Sequence, residues 1–154
     1  MDQADDEASV DVTTEIEIAR PLTEVAAFTA DPDNVPRWYV NIQSVDWQTP
    51  RPLQIGSQIA FVAQFLGRRM SYVYEVVEWR PSETLVMRTA SGPFPMETTY
   101  VWRPVSASQT WMSLRNRGAP RGFSKLIAPF MAVAVRRANR KDLALLKSVL
   151  EGDG

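Results

Sequence analysis

Residues 10–38 read VDVTTEIEIARPLTEVAAFTADPDNVPRW. In the first nine residues, valine, threonine and isoleucine alternate with aspartate, threonine and glutamate, and this period of two predicts a strand with one buried face. Pro21 suits the first turn of a helix, and the apolar residues within 22–28 recur at helical spacing. Asp31-Pro32 should end that helix, because a residue before proline avoids helical backbone. The segment therefore predicts a strand, a short helix and one further helical turn near Trp38.

From residue 42 to residue 117 the pattern predicts six more strands separated by turn signals, as in an antiparallel meander. Glycine, proline and serine mark the turns, and Gly67-Arg68 forms the tightest of them. The predicted strands are 42–48, 57–66, 69–79, 84–89, 96–103 and 109–117. With the first strand they make a sheet of seven.

Residues 121–151 change to helical spacing, with apolar side chains three and four positions apart. Pro129 predicts a kink or a break between a short lead-in and the main helix, and Gly152 is a suitable stop. Residues 130–151 would span about 33 Å at about 1.5 Å per residue. The expected fold class is therefore α+β: a curved antiparallel sheet of seven strands around a long C-terminal helix, with two short helices after the first strand.

The length of 154 residues suits one domain. We expect residues 1–9 to form a disordered acidic tail and residues 10–151 to form the domain. No apolar run approaches the roughly 20 residues that span a bilayer, so no integral membrane segment is expected. The acidic N-terminus lacks the order of a secretory signal, which makes the cytoplasm the expected location.

The sequence has no cysteine and no histidine. This excludes disulfides, thiolate or imidazole metal sites, cysteine nucleophiles and the Ser-His-Asp triad. Acid–base chemistry would fall to Asp, Glu, Lys or Tyr with shifted pKa values. The acids lack metal-ligand spacing and the glycines form no phosphate-binding loop, so no cofactor is expected.

Charge is distributed unevenly although the formal net charge is only −1. Residues 1–34 carry ten acids against Arg20, and residues 115–147 carry nine bases against Asp142. One interpretation is a basic face for nucleic acid or anionic lipid. We favour the other, in which the two ends of the chain meet and neutralise each other, because nucleic-acid binders usually have a basic overall balance. No nucleic acid partner is expected.

Four bases within residues 136–141 are typical of a solvated helix face, with a contact to the tail, a partner or a lipid headgroup as the alternative.

Four segments resemble the helix-grip superfamily, which includes START lipid-transfer domains, birch-pollen-allergen-like proteins and bacterial polyketide cyclase/dehydrases (the SRPBCC proteins). These segments are TTEIEIARPLTEVAAFTADPDNVPRW, VYEVVEWRPSETLVMRT, METTYVWRP and NRKDLALLKSVLE. The resemblance covers residues 12–151 and implies a ligand cavity between the sheet and the long helix. It does not select one activity, since this superfamily uses the fold for transport, cyclisation, hydrolysis and co-chaperone work.

Aromatic, methionine and a few polar side chains on the predicted inner faces are the candidate lining of that cavity, in the composition that apolar-ligand sites usually show. The alternative is that these side chains simply fill a core. The sequence does not decide which face of residues 70–79 points inward, because both faces are mostly apolar. The candidates are Trp38, Phe61, Phe65, Tyr72, Tyr74, Met87, Met96, Tyr100, Trp102, Met112, Asn116, Phe130 and Met131.

The leading hypothesis is binding or transport of a small apolar molecule (a lipid, polyketide or aromatic compound) in a cavity of roughly a few hundred Å³. A polyketide cyclase or dehydratase-like enzyme is the second hypothesis, with Asp46 and Glu78 as the first acids to consider and no catalytic residue assigned. The third is a protein-interaction or co-chaperone module, with an exposed apolar patch on the outer face of the sheet or near residues 118–123. A weak homo-oligomer is compatible with all three.

Overall fold

The computed structural model describes residues 10–65, 67–92, 95–118 and 128–152. The predicted acidic tail at residues 1–9 and the predicted helical lead-in at residues 121–127 lie outside these ranges, as does most of the segment 118–123.

The described chain forms seven strands and three α-helices in the predicted order. They are β1 Val10–Ile18, α1 Leu22–Ala30, α2 Val35–Trp38, β2 Ile42–Trp47, β3 Gln58–Phe65, β4 Arg68–Arg80, β5 Thr84–Ser91, β6 Met96–Ser106, β7 Gln109–Gly118 and α3 Ala128–Glu151, with a short 3₁₀ turn, Pro32–Asn34, between α1 and α2. The predicted fold class is confirmed.

All neighbouring strands pair antiparallel in the order β1-β7-β6-β5-β4-β3-β2. The first strand therefore lies at one edge beside the last, with Val10 opposite Gly118 and Ile18 opposite Thr110. This pairing brings both ends of the domain to one edge of the sheet. The register shifts within β4, between Val76 and Glu78, which fits a long strand that bends.

Helix α3 packs against β1 and α2. Pro129 occupies its first turn, where a missing backbone N–H costs no helical hydrogen bond, so the proline is found at the start of the helix and not inside it. Gly152 follows the last residue with a left-handed φ of 72°, as a C-terminal glycine should.

The buried side chains form two separate clusters along α3. The larger cluster joins α1, α2 and the inner sheet face to Leu143, Leu146 and Leu150 in the C-terminal half of the helix. The smaller cluster joins Met131 and Val135 near its start to Val10 and Val12 of β1. Between the two clusters the helix presents small or polar residues to the sheet.

Oppositely charged segments meet at the β1 edge. Arg115 of β7 makes a two-pronged ion pair with Asp11, with the shorter contact at 2.6 Å. Lys147 of α3 donates to the Glu17 carbonyl at 2.9 Å, and Arg20 donates to the Glu151 carbonyl at 3.0 Å. Part of the acidic N-terminal segment is thus neutralised by the basic C-terminal segment.

A buried hydrogen bond attaches α1 to the sheet. The Trp102 indole N–H donates to Thr29 Oγ1 at 2.9 Å, and both residues are almost fully buried. Thr29→Val keeps the side-chain shape but leaves the indole N–H unpaired, so we expect it to lower the free energy of unfolding by about 1–3 kcal/mol. Urea denaturation measures this, with Thr13→Val on the exposed face of β1 as the control, expected to change it by less than about 0.5 kcal/mol. Equal effects of the two substitutions would contradict this account.

Candidate functional site

A cavity of about 150 Å³ lies between the middle of α3 and the inner face of the sheet. We call it the α3 cavity. It is smaller than the few hundred Å³ expected from the sequence, and its size suits one aromatic ring. Its lining residues are Val10, Tyr39, Asn41, Ile42, Ala63, Met70, Tyr72, Tyr74, Met96, Asn116, Met131, Val135, Ala138, Asn139 and Asp142.

Simple periodicities explain how the main elements present these side chains. On α3 the lining positions recur at spacings of three and four, so they share one face of the helix. On β4, Tyr72 and Tyr74 are two residues apart and share the inner face, with ring centroids 5.9 Å apart. The Tyr72 ring lies directly on Gly92, where an added Cβ would be 2.5 Å from the ring. Glycine at that position therefore permits the ring to take its place in the wall.

One end of the cavity is polar. Thr98 Oγ1 donates to Asn116 Oδ1 at 2.7 Å, and Asn116 Nδ2 donates to Asn139 Oδ1 at 3.1 Å. Asn139 is only 3% exposed, and its Nδ2 has no hydrogen-bond partner among the described residues. Buried polar side chains are usually paired, so this amide is an exception in need of a physical reason.

Asp142 lies one helical turn beyond Asn139 and is the buried acid of the site. It is 3% exposed, and its Oδ1 accepts a hydrogen bond from the Val40 N–H at 2.9 Å. Burial raises the pKa of Asp142 from its ordinary 3.8 to about 7, against the opposing effect of the Val40 hydrogen bond. Near neutral pH both protonation states are therefore populated, and the carboxyl can accept or release a proton.

The tyrosines of the site are neutral hydrogen-bonding groups. The hydroxyls of Tyr39 and Tyr100 are 2.8 Å apart and share one hydrogen bond. Burial raises the pKa of Tyr39, Tyr74 and Tyr100 well above the ordinary value, and it also raises the pKa of Tyr72. None of them can serve as a base near neutral pH, whereas the pKa of Asp142 lies in that range.

The thirteen residues predicted from the sequence divide into four groups. Five line the cavity: Tyr72, Tyr74, Met96, Asn116 and Met131. Six are buried in the larger core cluster without facing the cavity: Trp38, Phe61, Met87, Tyr100, Trp102 and Met112. Phe130 is 73% exposed and does not line it, and the side chain of Phe65 lies outside what the structure describes.

Each misplacement has a physical reason. The inner sheet face extends beyond the cavity, and α1, α2 and the C-terminal half of α3 cover the rest of it with solid packing. Phe130 adjoins Met131 on α3, and successive helical residues point about 100° apart, so only one of the two can face inward. Asp46 is exposed on β2 and Glu78 pairs with Arg80 at 2.8 Å, so neither acid reaches the cavity.

Sequence reasoning missed Tyr39, Asn139 and Asp142. The available signal was the helical spacing itself, because positions 131, 135, 138, 139 and 142 continue the same face as the leucines at 143 and 146. A polar residue on a buried helix face is an indicator of a site, but here the residues belonged to a run rich in bases that suggested a solvated surface.

Within the residues that the structure describes, no three acidic side chains come together to hold a metal ion. No helix of the described chain is long and apolar enough to cross a membrane.

The sequence profile of one family, described as polyketide cyclase / dehydrase and lipid transport, matches residues 9–151. The chain belongs to this family, which confirms the resemblance inferred from its sequence. A comparison with functionally curated proteins finds no match.

Solved structures with the same fold share little sequence with it. A START superfamily protein from Mycobacterium smegmatis is similar with a TM-score of 0.80 and 12% identity, covering 92% of this chain and 97% of the other. The Zhui aromatase/cyclase from Streptomyces sp. R1128 has a TM-score of 0.79 and 14% identity, covering 93% and 94%. The di-domain ARO/CYC BexL of the BE-7585A biosynthetic pathway has a TM-score of 0.74 and 22% identity, covering 92% of this chain and 46% of that one. These likenesses establish the fold.

The buried carboxyl predicts an unusual dependence of stability on pH. Because the pKa of Asp142 is higher in the folded chain than the ordinary 3.8, the folded state binds more protons between about pH 4 and pH 7, and this residue makes the fold less stable as the pH rises through that window. Tyr39 and Tyr100, which interact electrostatically with Asp142, stay neutral there.

Asp142→Asn retains an acceptor for the Val40 N–H and removes the charge. We expect it to raise the free energy of unfolding at pH 8 by at most about 4 kcal/mol, because the pKa of Asp142 rises from 3.8 to about 7 on folding. The gain should vanish near pH 4. Urea denaturation of both proteins from pH 4 to pH 8 measures this, and Asp46→Asn at the exposed site is the control. A gain that is independent of pH would contradict the assignment.

Proposed function

We propose that the α3 cavity binds a small, mostly apolar molecule of about one ring. The observation that carries this proposal is the interruption of the core at the middle of α3, where a cavity of about 150 Å³ separates two packed clusters. A gap in the packing of apolar side chains costs stability, so a fold that retains one and lines it with adaptable side chains has the properties of a binding site.

The wall supports a ligand of this kind. Met70, Met96 and Met131 contribute flexible, polarisable side chains, and Tyr72 and Tyr74 contribute ring faces. An apolar cavity of about 150 Å³ accommodates a benzene-sized molecule, and methionine movement would admit a somewhat larger one. Each 100 Å² of apolar ligand surface removed from water contributes about 2.5 kcal/mol.

The family description and the aromatase/cyclase likeness support the same class of ligand. Lipids and polyketides are both predominantly apolar molecules, and the family description mentions proteins that act on each. Because the same fold serves many activities, the choice between transport and catalysis depends on the chemistry of the cavity.

Filling the cavity tests the binding proposal. Ala138 lines the cavity from α3, and Ala138→Leu would occupy much of its volume. We expect p-xylene to bind the native chain and to bind this variant at least tenfold more weakly, as measured by ligand-observed NMR titration. Ala144→Leu, the same substitution on the exposed face of α3, is the matched control and should bind like the native chain. Equal p-xylene binding by both variants, or failure of the native chain to bind any cavity-sized aromatic probe, would contradict the proposal.

A second candidate function is general base catalysis of the cyclase or dehydratase type, and Asp142 is the observation that favours it. A buried carboxyl at the cavity wall with a pKa raised to about 7 can remove a proton from carbon adjacent to a carbonyl group near neutral pH. The electron pair of the broken C–H bond would move to the carbonyl oxygen, and the proton would pass to the carboxylate.

Hydrogen exchange in D₂O tests this second function without a known substrate. Cyclohexanone is of cavity size, and its α-hydrogens exchange only slowly by themselves. We expect the native chain to accelerate their replacement by deuterium, with a rate that rises through pH 7, and Asp142→Asn to reduce the acceleration at least tenfold. NMR integration follows the reaction, with Asp46→Asn as the control. If the native chain does not accelerate exchange, base catalysis is wrong while ligand binding is unaffected.

A further inference from the structure

The unpaired amide of Asn139 identifies the polar group that the cavity is built to hold. We propose that the ligand of the α3 cavity carries a hydroxyl group, whose oxygen accepts from Asn139 Nδ2 and whose O–H donates to the Asp142 carboxyl. This inference rests on the proposed binding function and makes it more specific.

The side-chain oxygen of Asn139 already has a hydrogen-bond partner. Its Oδ1 accepts from Asn116 Nδ2, and Asn116 Oδ1 accepts in turn from Thr98, so the chain of hydrogen bonds holds the amide of Asn139 in one orientation. Its Nδ2 remains without a partner although the residue is 97% buried. An unpaired buried donor costs about 1–3 kcal/mol, which an acceptor on a ligand in the adjoining cavity would recover.

Asp142 supplies the matching acceptor. Residues three apart on a helix are neighbours on one face, and both Asn139 and Asp142 line the cavity. Oδ1 is engaged by the Val40 N–H, whereas no hydrogen bond to Oδ2 is found among the described residues. The two side chains thus supply one unpaired donor, which a small movement of the cavity wall would uncover, and one unengaged acceptor on the same helix face.

A hydroxyl satisfies both groups, whereas an ether, a ketone or an ammonium group does not. An ether or a ketone oxygen accepts from Asn139 but offers nothing to an ionised Asp142, and an ammonium group donates to Asp142 but leaves the amide unpaired. A hydroxyl both donates and accepts, so it can pair with Asp142 whether that carboxyl is ionised or neutral. This matters for a carboxyl that titrates close to neutral pH.

A pair of probes that differ by one group tests the proposal in the native chain. In p-cresol a hydroxyl replaces one methyl of p-xylene at nearly the same shape. The hydroxyl is hydrated in water, so a cavity that does not recognise it would prefer p-xylene. We expect p-cresol to bind at least tenfold more tightly than p-xylene in NMR or calorimetric titrations. Binding of p-xylene with equal or higher affinity would overturn the hydroxyl proposal alone, whereas failure of both probes to bind would overturn the binding function as well.

Variants then assign the preference to the two residues. Asn139→Leu and Asp142→Asn should each weaken p-cresol binding at least fivefold and change p-xylene binding less than threefold. Asp142→Asn is nearly isosteric and keeps an acceptor for the Val40 N–H. It therefore provides a test of the proposal even if the leucine variant does not fold. Met131→Leu, which alters the apolar wall, is the control and should shift both probes together. Retention of the p-cresol preference in both polar variants would overturn the assignment.

Discussion

The middle of α3 is the feature on which the site depends. Large aliphatic residues hold the C-terminal half of this helix to the main core through Leu143, Leu146 and Leu150, and Met131 and Val135 attach its other half to β1. Between these anchors Ala138 is too small, and Asn139 and Asp142 too polar, to complete the packing against a curved sheet. Because packing anchors the helix on both sides of this gap, the helix does not close it.

The polar residues that border this void reduce stability and are therefore informative. A helix face that continued with leucine through positions 139 and 142 would bury more apolar surface and leave no unpaired amide or desolvated carboxyl. The fold instead supports Asp142 with the Val40 N–H and Asn139 with Asn116. Departures from optimal packing that come with such dedicated support are expected where a protein binds or transforms a ligand.

Local patterns were sufficient to predict the fold and insufficient to predict the site. Alternation in VDVTTEIEI and the spacing of apolar residues after residue 128 are properties of single elements, so β1 and α3 could be derived from them. Whether Trp102 or Tyr74 faces the cavity depends on what lies opposite. Helix α1 covers Trp102 through Thr29, whereas no side chain of the described residues fills the space in front of Tyr74. Asp142 stands between Lys141 and Leu143, and its burial depends on a backbone N–H about a hundred residues away, which no local pattern contains.

The two candidate functions use the same carboxyl in ways that exclude each other for a given ligand. A hydroxyl that donates to Asp142 occupies the oxygen that a base would need, so a ligand held in this way is bound and not deprotonated at carbon. Under the proposed base catalysis, a ketone would accept from Asn139 and leave the carboxylate free. The same amide would then stabilise the negative charge that develops on the carbonyl oxygen when a neighbouring proton is removed. Catalysis requires interactions that strengthen in the transition state. Under the two proposals, a hydroxyl on the ligand would therefore favour storage, and a carbonyl group would favour proton removal.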